Sequence, residues 1–367
     1  VKSSALRREI WRDISTGTAW SVIFTLVASV LLTGLAAADV LLVSRINAQA
    51  EHYRSSMASI MVMEAKGKIN AHACLALSRQ PGVHAVVAVR SPEKQVSADA
   101  LPSSSIRTYE STPGVERILR IPVTERAGTD IAPEQVGAYV SQSVAETLAL
   151  SPGERFSLGG QQTMTMGIFP WDEADGRRPG FAYSLFLPVP PRGSFDECWV
   201  ETWPMNPALD SMIRGSVEAG ENLPHLSPKL YPFNSSLGAT FDGNGLFHDR
   251  LSAYAPWLVA VLGVLIGAAS VWRRRLEISS DLHAGVARAD ILVKFMWESA
   301  IWVTATQILA LPVMTWMVLR NPAADQGQMW MMVLLYLFLS AASCLIGAFL
   351  ATLGVREKHL LSFFKNR

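Results

Sequence analysis

Residues whose types and spacing could do chemistry are few in this chain. Asp172 with Glu173 and Asp196 with Glu197 are carboxylate pairs of the kind used in general acid–base catalysis. Each pair is contiguous, in a stretch that reads as loop or strand edge, where solvated carboxylates are the commoner outcome. His72 stands two residues before Cys74 and could hint at a metal pair; a surface histidine beside a disulfide is the plainer expectation. The sequence has no G-x-x-x-x-G-K-[ST], no H-E-x-x-H, no G-x-S-x-G and no C-x-x-C. No catalytic residue and no metal site is therefore expected, and the chain cannot cradle nucleotide phosphates in the P-loop manner. Two further acids, Asp39 and Glu298, fall inside long apolar runs, where an ionisable group is costly and by default suggests function. Asp39 is near enough to one end of its run to reach headgroups, and Glu298 can reach water or Lys294 one turn back. A structural role is expected of both.

The elements that would hold these residues follow from where the apolar side chains lie. Half of the 367 residues are apolar, and they concentrate in four runs, 19–43, 254–272, 295–319 and 329–353. Each has roughly the 20 residues a helix needs to cross a hydrocarbon core of about 30 Å. Residues 44–253 have ordinary globular composition instead. Residues 1–18 predict an interfacial amphipathic helix, with Leu6, Ile10, Trp11 and Ile14 on one face against Arg7, Arg8 and Arg12. This start also resembles a secretory signal, with Leu35-Ala36-Ala37-Ala38 as its cleavage site; retention as a span is expected because the leader is long and amphipathic. Basic residues cluster before the first run, between the second and third, and after the fourth in the tail 354–367, so both termini are expected in the cytoplasm and 44–253 outside. Net charge is +1 over the whole chain, and no basic stripe with interleaved aromatics points to nucleic acid.

The expected fold class is an α+β membrane protein: four transmembrane helices, with a mixed α/β extracytoplasmic domain inserted between the first and second. Within that domain Met57–Met63 leans to strand, Lys68–Leu77 to helix and Val83–Val89 to strand after a Pro81-Gly82 turn. A β-rich subdomain is expected at about 110–200, with a Gly159-Gly160 hairpin between Phe156–Leu158 and Met164–Ile168. Cys74 and Cys198 share this region, and an oxidising exterior favours their pairing; two buried free thiols are the alternative. Cys344 lies inside the fourth run.

Residues 273–294 join the second and third runs and are basic and helix-forming. Leu276, Leu282, Val286, Ile291 and Phe295 alternate with Glu277, Asp281, Arg288, Asp290 and Lys294, and Gly285 can end one helix or admit a partner's backbone. A solvated loop obeying only the positive-inside rule is the bland alternative. The order Arg273-Arg274-Arg275, Glu277, Leu282, His283, Ala284, Gly285, Arg288, Asp290, Ile291, Leu292, Phe295, Glu298 and Ser299 resembles RRREIAxLRALGATRRxIxxxFLxEA of FtsX-like, MacB-type permeases, the membrane subunits of ABC systems. Asp281 and His283 depart from that pattern. PGERFSLGGQQTMTMGIFP resembles their PGDxVxLGGxxFxVVGIF, and ALSRQPGVHAVVAV their helix, PGV, strand passage.

The resemblance implies a non-catalytic membrane subunit at the cell membrane, paired with a second permease copy or paralogue and an ATPase dimer that binds ATP and Mg. It implies coupling through the connector at Leu282, His283, Gly285, Val286 and Arg288, with Leu282 and Val286 as the apolar anchor. The implied work is export or extraction of a peptide, drug or lipid. Alternatives are activation of an extracellular cell-wall hydrolase, with that extracellular protein as partner, and a sensor or scaffold that signals without ATP. Membrane lipids are partners in every case.

Overall fold

The computed structural model describes residues 8, 10–13, 15–17, 20–92, 95–122, 137–218 and 227–356. It divides into two compact units, residues 1–48 with 243–367, and residues 49–242.

The first unit is helical. Four helices are long and apolar enough to cross a membrane, Ser21–Ser55, Leu251–Trp272, Arg288–Leu319 and Ala323–Gly354, hereafter the first to fourth spans. All four are longer than their apolar runs. Backbone hydrogen bonding continues a helix wherever propensity allows, whereas only the apolar stretch reports the hydrocarbon core. Of the expected leading helix, residues 8, 10–13 and 15 are helical, with Ile10 buried and Trp11 exposed; Leu6, Arg7 and Ile14 lie outside the described residues, as does most of the tail.

The first span carries a π turn at Ser29–Thr33. Most of its buried apolar residues, Ala28, Leu32, Ala36, Val40 and Val43, recur mainly every fourth residue, a spacing that drifts by about 40° per step on a uniform α-helix. One wider turn offsets that drift and keeps the stripe on one line. The second and fourth spans approach closely through small residues. A Cβ on Gly267 would lie 1.9 Å from the Cys344 carbonyl oxygen, and one on Gly347 would lie 2.1 Å from that of Val264. Gly263, one turn from Gly267, faces the side chain of Ser343. In lipid, where burial gives no hydrophobic gain, such backbone approach is what holds helices together.

The second unit is a mixed sheet. Its strands are β1 (Ile60–Asn70), β2 (Val83–Arg90), β3 (Val96–Ser97), β4 (Ser105–Ser111), β5 (Gly137–Ser141), β6 (Arg155–Leu158), β7 (Gln161–Phe169), β8 (Ser184–Pro188), β9 (Ser194–Thr202) and β10 (Lys229–Pro232). The order is β10-β1-β9-β2-β4-β8-β5-β7-β6, with β3 on β4; the β4–β8 and β5–β7 pairs are parallel and the rest antiparallel. Strands β4 to β9 belong to one sheet with β1, β2 and β10. Strand periodicity divides the core between the two faces. Val87, Val89 and Trp199 pack with Val62, Phe186 and Phe233 on one side, while Val86, Ala88, Cys198 and Val200 pack with Met63, Cys74 and Ile213 on the other.

Helix Ala71–Ala76 begins later than expected, because Lys68–Asn70 complete β1 and Asn70 caps the helix by accepting from the Ala73 N–H at 3.0 Å. Cys74 on this helix is bonded to Cys198 on β9, with Cα atoms 5.9 Å apart. The turn between β6 and β7 has positive φ at both Gly159 and Gly160, the conformation of a two-residue type I′ hairpin.

Gly267→Val should be strongly destabilising, by about 3 kcal/mol or more, because the obstacle is backbone and cannot move aside. Thermal unfolding in detergent reads this; a melting temperature within 1–2 °C of the parent, roughly what a few tenths of a kcal/mol would give, would show that the second and fourth spans do not depend on this approach.

Candidate functional site

The three consecutive arginines after the second span have different surroundings. Arg273 is exposed and Arg275 half-buried, whereas Arg274 is buried. Helix Arg275–His283 starts here, and Arg274 turns inward beneath its first turn. Its Nε donates to Glu277 Oε2 at 2.6 Å and its Nη2 to Asp13 Oδ2 at 2.7 Å, while Nη1 donates to Glu298 Oε2. Lys294 joins the same group, 3.0 Å from Glu277 Oε1 and 3.1 Å from Asp13 Oδ2. The guanidinium lies over the Phe295 ring at 4.7 Å. Three carboxylates therefore share two cations, and Glu298 Oε1 is buried without a hydrogen-bond partner.

Electrostatics explain why buried charge is tolerated at this point. Burial by itself disfavours the charged form of each group, but the carboxylates around Arg274 outweigh it and hold the guanidinium above its ordinary value. Burial likewise raises Asp13 and Glu277, yet hydrogen bonds and charge from Arg274 and Lys294 bring both below the ordinary carboxylate range. The group ties together residue 13, the connector and the start of the third span.

Glu298 was expected to reach water or Lys294; it is buried and paired with Arg274 instead, because a guanidinium can serve three acceptors at once. Asp39 was expected to reach headgroups and is 1% exposed. Arg250 Nε donates to its Oδ1 at 2.9 Å and the Tyr336 hydroxyl to its Oδ2 at 2.6 Å. Asp39 is thus a satisfied internal pair in the helical unit.

The connector's expected site residues separate. Leu282 is half-buried against Val271, Ile278, Ile291, Phe295 and Val355, whereas His283, Gly285, Val286 and Arg288 are exposed. Leu282 and Val286 were expected on one helical face, but the helix ends at His283. Gly285, at φ +84°, closes it: its N–H bonds to Leu282 O at 3.1 Å and the Val286 N–H to Asp281 O at 3.0 Å. That pair of bonds with a left-handed glycine is the Schellman ending. Arg288 then opens the third span. A Cβ on Gly285 would meet nothing within 4 Å, so the turn conformation alone explains the glycine inside this chain. A shallow groove lies beside it, lined by Ile278, Leu282, Arg288, Ile291, Thr352 and Val355.

In the α/β unit the carboxylate pairs are structural. Asp196 accepts from the N–H groups of Gly67 and Ser91 at 2.8 and 2.9 Å. Glu197 was expected to be solvated but takes Arg178 on both oxygens, at 2.7 and 2.8 Å, and Trp199 Nε1 at 2.7 Å. Asp172 and Glu173 accept from the backbone of Ala174 and Gly180 at 2.9 and 2.7 Å. His72 is exposed, and no cluster able to hold a metal exists among the described residues. Sequence reasoning missed Arg274, Lys294 and Asp13 as a unit; the one signal was a basic triplet with an acid three residues after its middle arginine, at Glu277, and another at Glu298.

No family model and no curated protein matches the chain. Solved structures similar to it include the periplasmic region of MacB from Actinobacillus actinomycetemcomitans, at 9% identity over 43% of this chain and 82% of that one, TM-score 0.31. The extracellular domain of the noncanonic ABC-type transporter YknZ from Gram-positive bacteria is 14% identical over 42% of this chain and 88% of that one, TM-score 0.30. A domain of a putative permease protein from Porphyromonas gingivalis is 13% identical over 48% and 88%, TM-score 0.33.

Arg274→Met should cost about 3–5 kcal/mol, the usual result of removing one partner of a buried charged group, whereas Glu298→Gln should be near neutral because it leaves two acids facing two cations. Thermal unfolding in detergent compares them, and equal losses would refute the charge count. The lowered Asp13 and Glu277 contribute stability that is fully present above the ordinary carboxylate range and fades as pH falls below about 4 through their folded values. Melting temperature should therefore drop on acidification in the parent protein, and less steeply in an Asp13→Asn variant.

Proposed function

We propose that this chain is the permease subunit of an ABC complex of the FtsX-like, MacB type, in which a separate ATPase dimer binds ATP and Mg and drives the α/β unit as a moving part. The observation that carries the proposal is the connector. Its base is locked by the buried Arg274 group to residue 13 and to the third span, and its tip, 283–289, is exposed beyond a glycine-closed helix end. A push on that tip acts on a rigid piece, where a loop without such anchors would absorb it. The sequence likeness of 273–299 to the permease pattern supports the same reading.

In this proposal the tip and both termini face the cytoplasm, residues 49–242 lie outside, and a second permease copy or paralogue completes the membrane unit. ATP-driven closure of the ATPase displaces the connector and with it the first and second spans, between which the chain of the α/β unit is threaded. A peptide, drug or lipid taken up outside can then be expelled or extracted without passing through the bundle. The chain's own chemistry is confined to binding and movement.

Leu282 is a poor probe of the coupling contact, because it already packs inside the chain. Val286, 36% exposed, is the better one. Val286→Asp should leave melting unchanged while lowering ATPase affinity about thirtyfold, the effect of losing an anchor worth roughly 2 kcal/mol. Co-purification and affinity measurement with the ATPase check this; undiminished affinity would remove the connector from the coupling path. For orientation, a membrane-impermeant thiol reagent applied outside should modify an introduced Ala174→Cys and leave Ser280→Cys untouched, both positions being exposed.

A further inference from the structure

Outside the two buried cations Arg274 and Lys294, charge around the ion group is divided by sign. Acids there are turned inward: Asp13 and Glu298 are buried, and Glu277, Asp281 and Asp290 half-buried. Arg8, Arg12, Arg273 and Arg288 are exposed. The 2.7 Å contact of Asp13 with Arg274 brings their exposed neighbours Arg12 and Arg273 to the same end. Arg273 is stacked on Trp20, its guanidinium carbon 3.2 Å from the ring centroid, and among the described residues no carboxylate pairs with it. Stacking occupies a face of the guanidinium and leaves its N–H edge, which suits bidentate contact with a phosphate.

The aromatic residues place this edge at a particular depth. Trp20 immediately precedes the first span and is 41% exposed; Trp272 ends the second and is 47% exposed, with Arg275 over its ring at 5.7 Å. Trp11, 73% exposed, lies beside Arg12 in sequence. Half-exposed indoles at the ends of spans are the pattern of headgroup depth, and exposed cations among them meet a surface of opposite charge when the leaflet is anionic. We propose that Arg273 on Trp20, with Arg12 at the same end of the unit, binds the phosphate of an anionic phospholipid in the leaflet bordering this end.

The inference rests on the membrane reading of the four helices and is independent of the ATPase. In neutral detergent the full chain would be titrated with phosphatidylglycerol or with phosphatidylcholine, and bound lipids counted by native mass spectrometry. Phosphatidylglycerol should be retained about tenfold more tightly than phosphatidylcholine. Arg273→Gln should lose about fivefold of that preference, close to the contribution of one basic residue at an anionic surface. Arg273→Lys, which keeps the charge without the planar edge, should fall between them.

A melting temperature for each variant separates lost binding from lost folding; if Arg273→Gln unfolds, the Arg273→Lys comparison still decides. Equal retention of both lipids, or variants that bind like the parent, would overturn the proposal. So would displacement of the lipid by an equal concentration of inorganic phosphate, which would mark a soluble-anion site. A chain that stays monodisperse without detergent would instead refute the membrane reading itself.

Discussion

The helical unit depends on a single buried guanidinium. Arg274 satisfies carboxylates from residue 13, from the turn just after it and from the third span, so segments remote in sequence are held by one planar group with donors on three nitrogens. Taking so many charges out of water is expensive, and the same contacts made with hydrophobic groups would hold the helices as well or better. What ions add is direction. A hydrocarbon patch can slide by a turn, whereas Arg274 can keep its acceptors in one arrangement only.

Contrasting interactions hold the remaining parts. The second and fourth spans meet backbone to backbone at Gly267 and Gly347, with Gly263 against the Ser343 side chain, a contact with no charge in it. The α/β unit has ordinary hydrophobic layers on the two faces of its sheet, with an Arg178–Glu197–Trp199 network at one edge of the aromatic cluster and a disulfide joining a helix to the interior strand β9. Closing a loop of this size, 124 residues between the two cysteines, would stabilise by about 4–5 kcal/mol in the chain-entropy account. Each unit is thus held in the way its solvent demands.

Local features were legible from sequence. The apolar runs, the strand after Pro81-Gly82 and the Gly159-Gly160 hairpin all depend on residues within one turn or one hairpin of each other. The Cys74–Cys198 pairing was legible too, because only two cysteines lay in the same region. Arg274 was not: its partner Asp13 is 261 positions away, and nothing in three identical arginines tells which turns inward. Gly285 was read as ending a helix or admitting a partner's backbone; it ends a helix, and Val286 was extended onto a helix that the same glycine closes. The parallel β4–β8 and β5–β7 pairs could not be seen, because parallel pairing joins strands across long crossovers and leaves no turn motif. Strand β8 lies between β4 and β5 and is fixed by neighbours on both sides.

The register of β1 against β10 sets how the α/β unit carries a mechanical load. Met61 lies opposite Pro232, so the strands nearest the unit's two chain ends, residues 49 and 242, are antiparallel neighbours whose outward ends lie together. Tension between those ends meets the β1–β10 bonds one at a time, like a zipper, and not all together in shear. The edge strand β10 is the part that yields first. Behind it, β1, β9 and β2 are paired in turn and the Cys74–Cys198 bond crosses from helix to sheet, so the stapled strands stand behind the margin that meets the load first.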